Sequence, residues 1–208
     1  FQEIQQYGVN IGIHLFKQSD PETFTHEADL ILDSDPEGVV LAPFFSRESK
    51  EFISELKKRE IPYVFIDSNI KDSDKLSYIG QDSFRSGTLA AKLLDYSIPE
   101  NASILILHFA KVLDNMNHLA QREKGFYEYF SKKTSEKKLI TLEIDDPNEL
   151  VCQQRIVEQL KSNEQIKGIF VTNSQVYYLG RILEQINKQG IRVIGHDLIR
   201  EIIEFLNK

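Results

Sequence analysis

Short apolar runs rich in β-branched residues alternate with stretches of helical spacing, and this alternation limits the fold more than any other feature of the chain. The runs that predict strands cover residues 9–15, 38–43, 63–67, 77–80, 103–107, 139–144, 168–172 and 192–195. Helical spacing of apolar residues covers 23–33, 46–57, 83–96, 119–131, 149–162, 176–189 and 199–206. Strands separated by helices pair in parallel, so the sequence predicts an α/β fold with parallel sheets flanked by helices.

A polar joint at residues 98–101, with the sequence Ile-Pro-Glu-Asn, divides this pattern into two similar halves. The same order of strands and helices resumes directly after the joint. We therefore expect an N-terminal lobe at residues 1–99 and a C-terminal lobe at residues 100–208, each a parallel sheet flanked by helices. Two lobes of similar architecture that are joined by a short linker are typical of proteins in which the cleft between the lobes opens and closes.

Composition excludes several classes of protein. The 208 residues are 41% hydrophobic, which suffices for one large domain or two small lobes, and no apolar run approaches membrane-spanning length. The net charge of −7 comes from interspersed charges without a basic stripe, so this chain is not expected to hold DNA itself. The lysines of residues 132–138 are interpreted as a solvated loop.

Cys152 is the single cysteine, which fits a reducing cytoplasm and leaves the periplasm open.

Four short segments carry polar side chains that point to ligand binding. Three follow predicted strands and end in Gln81-Asp82, Thr172-Asn173-Ser174 and Gly195-His196-Asp197, while Arg122 lies near the start of a predicted helix. In alternating strand–helix folds, ligands bind beyond the carboxyl ends of the strands. Carboxylate, amide and guanidinium groups together suit a small polyhydroxylated molecule. The candidate ligand-binding residues are therefore Asp82, Arg122, Asn173 and Asp197.

Each of these four residues also has an ordinary structural interpretation. Asp82 is placed to cap the helix that begins at Ser83, a role that stabilises a helix by about 1 kcal/mol. A solvated side chain is the ordinary role of Arg122, and Asn173 is placed to shape the turn after its strand. Asp197 is placed either to cap the last helix or to accept hydrogen bonds from ligand hydroxyls.

A second set of candidate ligand-binding residues has weaker support from the sequence. The aromatic side chains of Phe44 and Phe109 are candidates to stack on a sugar ring, with core packing as the alternative. Asn117 and His118 end a predicted loop at the lip of the cleft, where a solvated loop is the alternative. Ser174 completes the segment around Asn173.

The sequence offers no cluster of Cys or His residues with metal-ligand spacing, no nucleophile motif and no phosphate-binding loop. The alternative to a binding protein is an α/β enzyme that uses Asp82 and Asp197 as an acid–base pair. We expect a protein that binds without turnover, with no catalytic residue, no metal and no cofactor.

The chain resembles the ligand-binding domain of LacI-type transcription regulators, which share a fold with periplasmic sugar-binding proteins. The resemblance rests on six pieces in the family's order, at about its spacing, from residue 37 to residue 197: EGVVLAP, IPYVFIDS, IGQDSFRSGTLAAKLL, QREKGF, GIFVTNS and VIGHD. The family's ligand contacts fall on Asp82, Arg122, Asn173 and Asp197 in these pieces. Ser83 stands where the family often has asparagine, so the contact pattern of a known sugar does not transfer unchanged.

The resemblance implies a periplasmic binding protein type I fold with an effector, a sugar or sugar derivative, between the lobes. In such regulators the effector controls a separate helix-turn-helix head on operator DNA, the protein is a homodimer, and the compartment is the cytoplasm without a membrane. The alternative is a periplasmic sugar-binding protein that serves a transporter or a sensor. Compared with the family, the chain is expected to be truncated at both ends, with a first lobe that lacks its first strand.

Overall fold

The structure is a computed structural model that describes residues 6–109, 116–145 and 148–205. The chain divides into two compact units, Phe1–Ile79 and Gly80–Lys208. Each unit contains one parallel β-sheet flanked by helices, so the predicted fold class is confirmed.

The first unit is built on a three-stranded parallel sheet in the order β1-β2-β3. Its elements in chain order are α1 (Pro21–Asp33), β1 (Val39–Leu41), α2 (Ser46–Lys58), β2 (Tyr63–Ile66) and β3 (Ser77–Ile79). Helix α1 begins after Asp20, whose side chain accepts a hydrogen bond from the Glu22 backbone. In helix α2, Phe45 is the N-cap residue without a side-chain cap, and Ser46 is the first helical residue.

Aromatic side chains form much of the core of the first unit. Phe44 packs edge-on against Phe45, with ring centroids 5.2 Å apart, and its ring lies 6.3 Å from that of Phe16. Phe24 is a further member, 6.3 Å from the ring of Phe45. The ring of Phe44 is therefore part of the hydrophobic core of this unit, as its structural interpretation expects.

The predicted strand at residues 9–15 is wrong, because no strand occurs between residues 6 and 38 of the structure. The alternation of apolar residues is present, but Val9, Ile13 and Leu15 are exposed, Leu15 to 81%. A strand needs a neighbour that accepts its backbone hydrogen bonds, and in the described part of this unit the sheet pairs only β1, β2 and β3.

The second unit is built on a four-stranded parallel sheet in the order β5-β4-β6-β7. Its elements in chain order are α3 (Ser83–Ser97), β4 (Ser103–Phe109), α4 (Asn117–Ser131), β5 (Lys138–Ile144), α5 (Glu149–Ser162), β6 (Ile166–Val171), α6 (Val176–Gln185), β7 (Arg192–Ile194) and α7 (Arg200–Ile203). Hydrophobic layers cover both faces: Ile104 and Ile106 point to one side with Phe126, while Leu105 and Leu107 point to the other. Helix α3 groups with this unit, whereas the sequence prediction assigned it to the first lobe.

Two glycines allow α3 and α4 to cross with their backbones in contact. A Cβ atom at Gly87 would lie 1.8 Å from the carbonyl oxygen of Arg122, and one at Gly125 would lie 2.0 Å from that of Phe84. Thr88 adds a hydrogen bond of 3.2 Å from its hydroxyl to the Gly125 carbonyl. The glycine of the Arg-x-x-Gly-Phe piece therefore fixes the helix that carries Arg122.

A buried ionic cluster lies where α3 and α4 end and β5 begins. Asp95 accepts hydrogen bonds from Lys133 at 2.5 Å and Tyr129 at 2.9 Å, and it lies 3.0 Å from the Lys137 ammonium. Lys137 also donates to Glu100 at 2.9 Å, and its side chain is 0% exposed. The interpretation of residues 132–138 as a solvated loop is therefore wrong for Lys137, whose charge is matched inside the protein.

Candidate functional site

The sheet of the second unit reverses its winding direction between β4 and β6. From β4 the chain passes through α4 to β5 on one side, and from β5 it passes through α5 to β6 on the other side of β4. Such a reversal opens a crevice at the carboxyl ends of the two strands, which is where open α/β sheets bind ligands. Phe109 ends β4 and Thr172 follows β6 at this edge.

Arg122 connects three elements at this carboxyl edge. Its Nη1 atom donates a hydrogen bond of 2.7 Å to the Thr172 carbonyl, and its Nη2 atom donates one of 3.2 Å to Gln81 Oε1. These contacts join α4, the end of β6 and the segment before α3. Phe126, one helical turn further along α4, stacks on Phe170 of β6 with ring centroids 4.9 Å apart. The segment at residues 122–126 therefore places the Arg122 guanidinium at the carboxyl edge and the Phe126 ring in the core.

Asp82 follows Gln81 and is the N-cap residue of α3. Its Oδ1 atom accepts a hydrogen bond of 3.0 Å from the Arg85 backbone, and its Oδ2 atom lies 3.5 Å from the Arg85 guanidinium. The side chain of Asp82 is exposed. The capping interpretation therefore describes Asp82 in this structure, and its outer oxygen faces solvent beside Arg85.

Asn173 ties the ends of two neighbouring strands together. Its amide nitrogen donates a hydrogen bond of 2.8 Å to the carbonyl of Phe109, the last residue of β4. Its Oδ1 atom accepts one of 3.2 Å from the Gln175 backbone. The turn-shaping interpretation describes this arrangement, which keeps Asn173 and the half-buried Ser174 at the switch point.

Asp197 stands in a loop after β7 with a left-handed backbone, at φ 69°. Aspartate tolerates this conformation better than most residues. Helix α7 begins at Arg200 with Ile199 in the N-cap position and without a side-chain cap. The capping interpretation of Asp197 is therefore wrong, and its carboxylate is exposed at the end of the loop.

Two histidines near Arg122 are uncharged at neutral pH. Burial, followed by the positive charge of Arg122, lowers the pKa of His118 to about 4. Burial, Arg122 and then His118 lower the pKa of His196 to about 3. The His196 ring also packs edge-on against Phe170, with centroids 5.6 Å apart. A neutral imidazole presents one donor and one acceptor, so both rings add hydrogen-bonding groups without charge.

Beneath Arg122 a polar network runs through the otherwise apolar core. His108 Nδ1 is 2.8 Å from Thr172 Oγ1, and His108 Nε2 is 3.5 Å from Glu123 Oε1. The same Glu123 oxygen accepts a hydrogen bond of 3.0 Å from Thr141, whose hydroxyl is 2.8 Å from that of Tyr127. The contact with His108 is the largest cause that lowers the pKa of Glu123, which is therefore ionised.

The weaker candidates are distributed over several elements. The Phe109 ring packs against Tyr178 at a centroid distance of 6.2 Å, next to the core layer of α5 and α6. Asn117 and His118 form the start of α4, so the predicted loop ends earlier than expected, and residues 110–115 lie outside the described residues. Phe44 belongs to the core of the first unit.

Sequence reasoning did not select His108, Glu123, Thr172 or His196 as candidate residues, although Thr172 and His196 lie in the polar segments that it named. A signal for His108 was present, because a histidine in a buried apolar strand needs a polar partner. The partners Thr172 and Glu123 carried no such signal, because threonine is ordinary in a strand and glutamate is ordinary in a helix.

Two further properties concern the described part of the chain. No group of three or more His, Cys, Asp or Glu residues in it is arranged to hold a metal ion. Among its helices, none combines the length and the apolar character needed to cross a membrane.

A parallel α/β architecture with polar side chains gathered at a switch point defines a class of ligand-binding proteins. Residues 2–208 match the family model described as periplasmic binding protein domain, and the chain belongs to this family. No curated protein sequence matches the chain.

Solved structures with the same fold come from both regulators and transport proteins. A candidate LacI transcriptional regulator from Bacteroides fragilis is 25% identical with a TM-score of 0.88, and the match covers 99% of this chain and 72% of that one. GanP, a glucose-galactose binding protein from Geobacillus stearothermophilus, is 20% identical with a TM-score of 0.83 and covers the same shares. A carbohydrate transporter solute binding protein from Agrobacterium radiobacter, in complex with D-arabinose, is 19% identical with a TM-score of 0.81. This match covers 99% of this chain and 71% of that one.

Proposed function

We propose that this chain binds a small carbohydrate at the carboxyl edge of the β5-β4-β6-β7 sheet and does so without turnover. The observation that carries the proposal is Arg122, whose guanidinium is held at the switch point by Thr172 and Gln81. A guanidinium held in this way presents fixed donors to vicinal hydroxyl groups. Binding sites of this kind combine a few well-placed polar groups with a rigid scaffold.

The polar groups at this carboxyl edge and in the segment before α3 support a neutral, polyhydroxylated ligand. Asp82 and Asp197 offer carboxylate acceptors, Asn173 marks the strand end, and the uncharged His118 and His196 supply donors and acceptors without additional positive charge. A sugar hydroxyl both donates and accepts, so it matches such a mixture better than an anionic group does. Membership in the periplasmic binding protein family and the sugar-binding relatives agree with this ligand class.

The finer proposal is an effector-binding domain of a LacI-type transcription regulator in the cytoplasm. The effector would control a helix-turn-helix head, and two such heads in a homodimer would bind operator DNA. Similarity to a candidate LacI regulator at 25% identity supports this role. The effector would act through its differential affinity for two conformations of the protein.

The alternative is a periplasmic sugar-binding protein that serves a transporter or a sensor. The similarity to GanP and to the carbohydrate transporter binding protein favours this role. The gene sequence on the N-terminal side of Phe1 discriminates between the two roles. A helix-turn-helix segment there supports the regulator, and a secretion signal supports the transport protein.

Carbohydrate binding is tested by thermal shift and calorimetry with D-glucose, D-galactose and D-arabinose. We expect at least one sugar to raise the melting temperature by mass action. Arg122→Lys keeps the charge but loses the planar fork, so it should weaken that sugar's affinity about tenfold or more. Arg192→Lys, the same substitution at the exposed start of β7, is the matched control. Equal affinity of wild type and Arg122→Lys would contradict the site.

A further inference from the structure

We propose that His108 and Glu123 are positioning residues for the ligand site, because they fix Thr172 and through it the guanidinium of Arg122. This inference deepens the proposed function and rests on it for the ligand. It concerns residues that lie behind the surface of the site and that need not touch a bound sugar.

His108 is a polar side chain that lies in an apolar environment. Its side chain is 0% exposed at the end of β4, whose preceding residues Ile104 to Leu107 are all buried and apolar. An imidazole in such a place is destabilising unless its nitrogens have polar partners. Thr172 Oγ1 at 2.8 Å is the hydrogen-bond partner of Nδ1, and the Glu123 carboxylate lies 3.5 Å from Nε2, which makes no hydrogen bond to the described residues.

The His108 ring contacts its two polar neighbours at different distances. Nδ1 is 2.8 Å from the Thr172 hydroxyl, which is a hydrogen bond, whereas Nε2 lies 3.5 Å from the Glu123 carboxylate. Glu123 therefore acts on His108 as a nearby negative charge on the side of the ring opposite Thr172. The carboxylate itself is held by a hydrogen bond of 3.0 Å from Thr141 on β5. One chain of polar contacts thus crosses β5, β4 and β6.

Thr172 links this network to Arg122. Thr172 uses its hydroxyl for His108 and its carbonyl for Arg122 Nη1 at 2.7 Å, and it is 0% exposed. Arg122 and Glu123 are adjacent on α4, so β6 is tied to this helix by two routes, one direct and one through His108. Rigid support behind a binding side chain is what holds it in the productive geometry.

The test compares two substitutions of Thr172. Thr172→Val keeps the shape and removes the hydroxyl, whereas Thr172→Ser keeps the hydroxyl. A readout that needs no ligand is the NMR signal of the Arg122 guanidinium in protein labelled with ¹⁵N-arginine. We expect restrained guanidinium signals in wild type and Thr172→Ser, and mobile, averaged signals in Thr172→Val. The affinity for the sugar found by thermal shift should fall about tenfold in Thr172→Val alone.

Glu123→Gln provides a second variant that keeps the volume but removes the charge that orients His108. We expect the same loosening of Arg122, with Glu128→Gln on the same helix as a control that behaves like wild type. Unchanged Arg122 signals in both folded Thr172→Val and Glu123→Gln would overturn the proposal. If no sugar binds wild type, the carbohydrate assignment fails, while the guanidinium signals still decide whether His108 and Glu123 position Arg122.

Discussion

The two edges of the sheet in the second unit bury polar groups in opposite ways. At the amino edge, Asp95 and Lys137 are ionised and pair with each other inside the protein. At the carboxyl edge, His118 and His196 stay uncharged around Arg122. Paired buried charges hold elements together once both partners are present, whereas neutral donors and acceptors remain adaptable to a ligand. From this comparison we expect the amino edge to contribute stability and the carboxyl edge to serve the proposed ligand site.

The largest expected effect comes from Asp95→Asn at the amino edge. The substitution leaves the buried Lys137 and the nearby Lys133 without their shared carboxylate, which should lower the free energy of unfolding by about 3–5 kcal/mol. Urea denaturation measures this loss, and sugar affinity measured well below the transition should stay within about twofold of wild type.

Glu100→Gln is the control for Asp95→Asn, because Glu100 also contacts Lys137 but its side chain is 77% exposed. We expect a change of less than about 1 kcal/mol for this exposed partner. If Asp95→Asn were as stable as Glu100→Gln, the amino edge would not have the stabilising role that the comparison assigns to it.

A smaller effect is expected from Gly125→Ala, which acts on both edges because α3 and α4 run between them. The added methyl group would lie 2.0 Å from the Phe84 carbonyl, so the helices must separate. Overpacking of this kind costs about 1–3 kcal/mol. We also expect weaker sugar binding, because Arg122 lies one helical turn away on the moved helix.

Lys124→Ala, at the exposed neighbouring position, is the control for Gly125→Ala and should change stability by less than about 0.5 kcal/mol. Denaturation and calorimetry of both variants provide the comparison. A Gly125→Ala protein with wild-type stability and affinity would show that the helix crossing does not position Arg122.

The smallest expected effect is the pH dependence of the free energy of unfolding that Asp95 contributes at the amino edge. Burial alone raises the pKa of Asp95, but hydrogen bonds from Lys133, Lys137 and Tyr129 outweigh it and lower the pKa to about 2, from 3.8. A lowered folded-state pKa contributes stability that is complete above the unfolded value and is lost as the pH falls through the folded value. The stability difference between wild type and Asp95→Asn should therefore be constant above pH 5 and narrow between about pH 4 and pH 2.

Denaturation of both proteins across this pH range measures the narrowing. A difference that stays constant down to pH 2 would mean that Asp95 does not titrate with the lowered pKa that its ion pairs require.

The sequence was sufficient to predict the fold class because hydrophobic periodicity is a local property. Helix α5 has the predicted bounds, and the parallel strands follow from the helices between them. The segment at 9–15 has the same periodicity without being a strand, because pairing depends on a neighbour that local pattern does not reveal.

The candidate site was predictable only in part. The position of Arg122 at the carboxyl edge agrees with the expectation from its motif, and ligand contact by Asp82, Arg122, Asn173 and Asp197 stays a prediction. The burial of Lys137 and the network behind Arg122 were not predictable, because both depend on residues far apart in sequence that the fold brings within hydrogen-bonding distance.

The most direct test of carbohydrate binding at the carboxyl edge is an NMR titration of the labelled protein with the sugar that gives the largest thermal shift. We predict saturable changes in the backbone signals of Gln81, Thr172 and Asp197 and in the side-chain signal of Arg122, with little change at Asp95 and Lys133. Saturable changes confined to the amino edge, or to residues away from Arg122, would contradict the account.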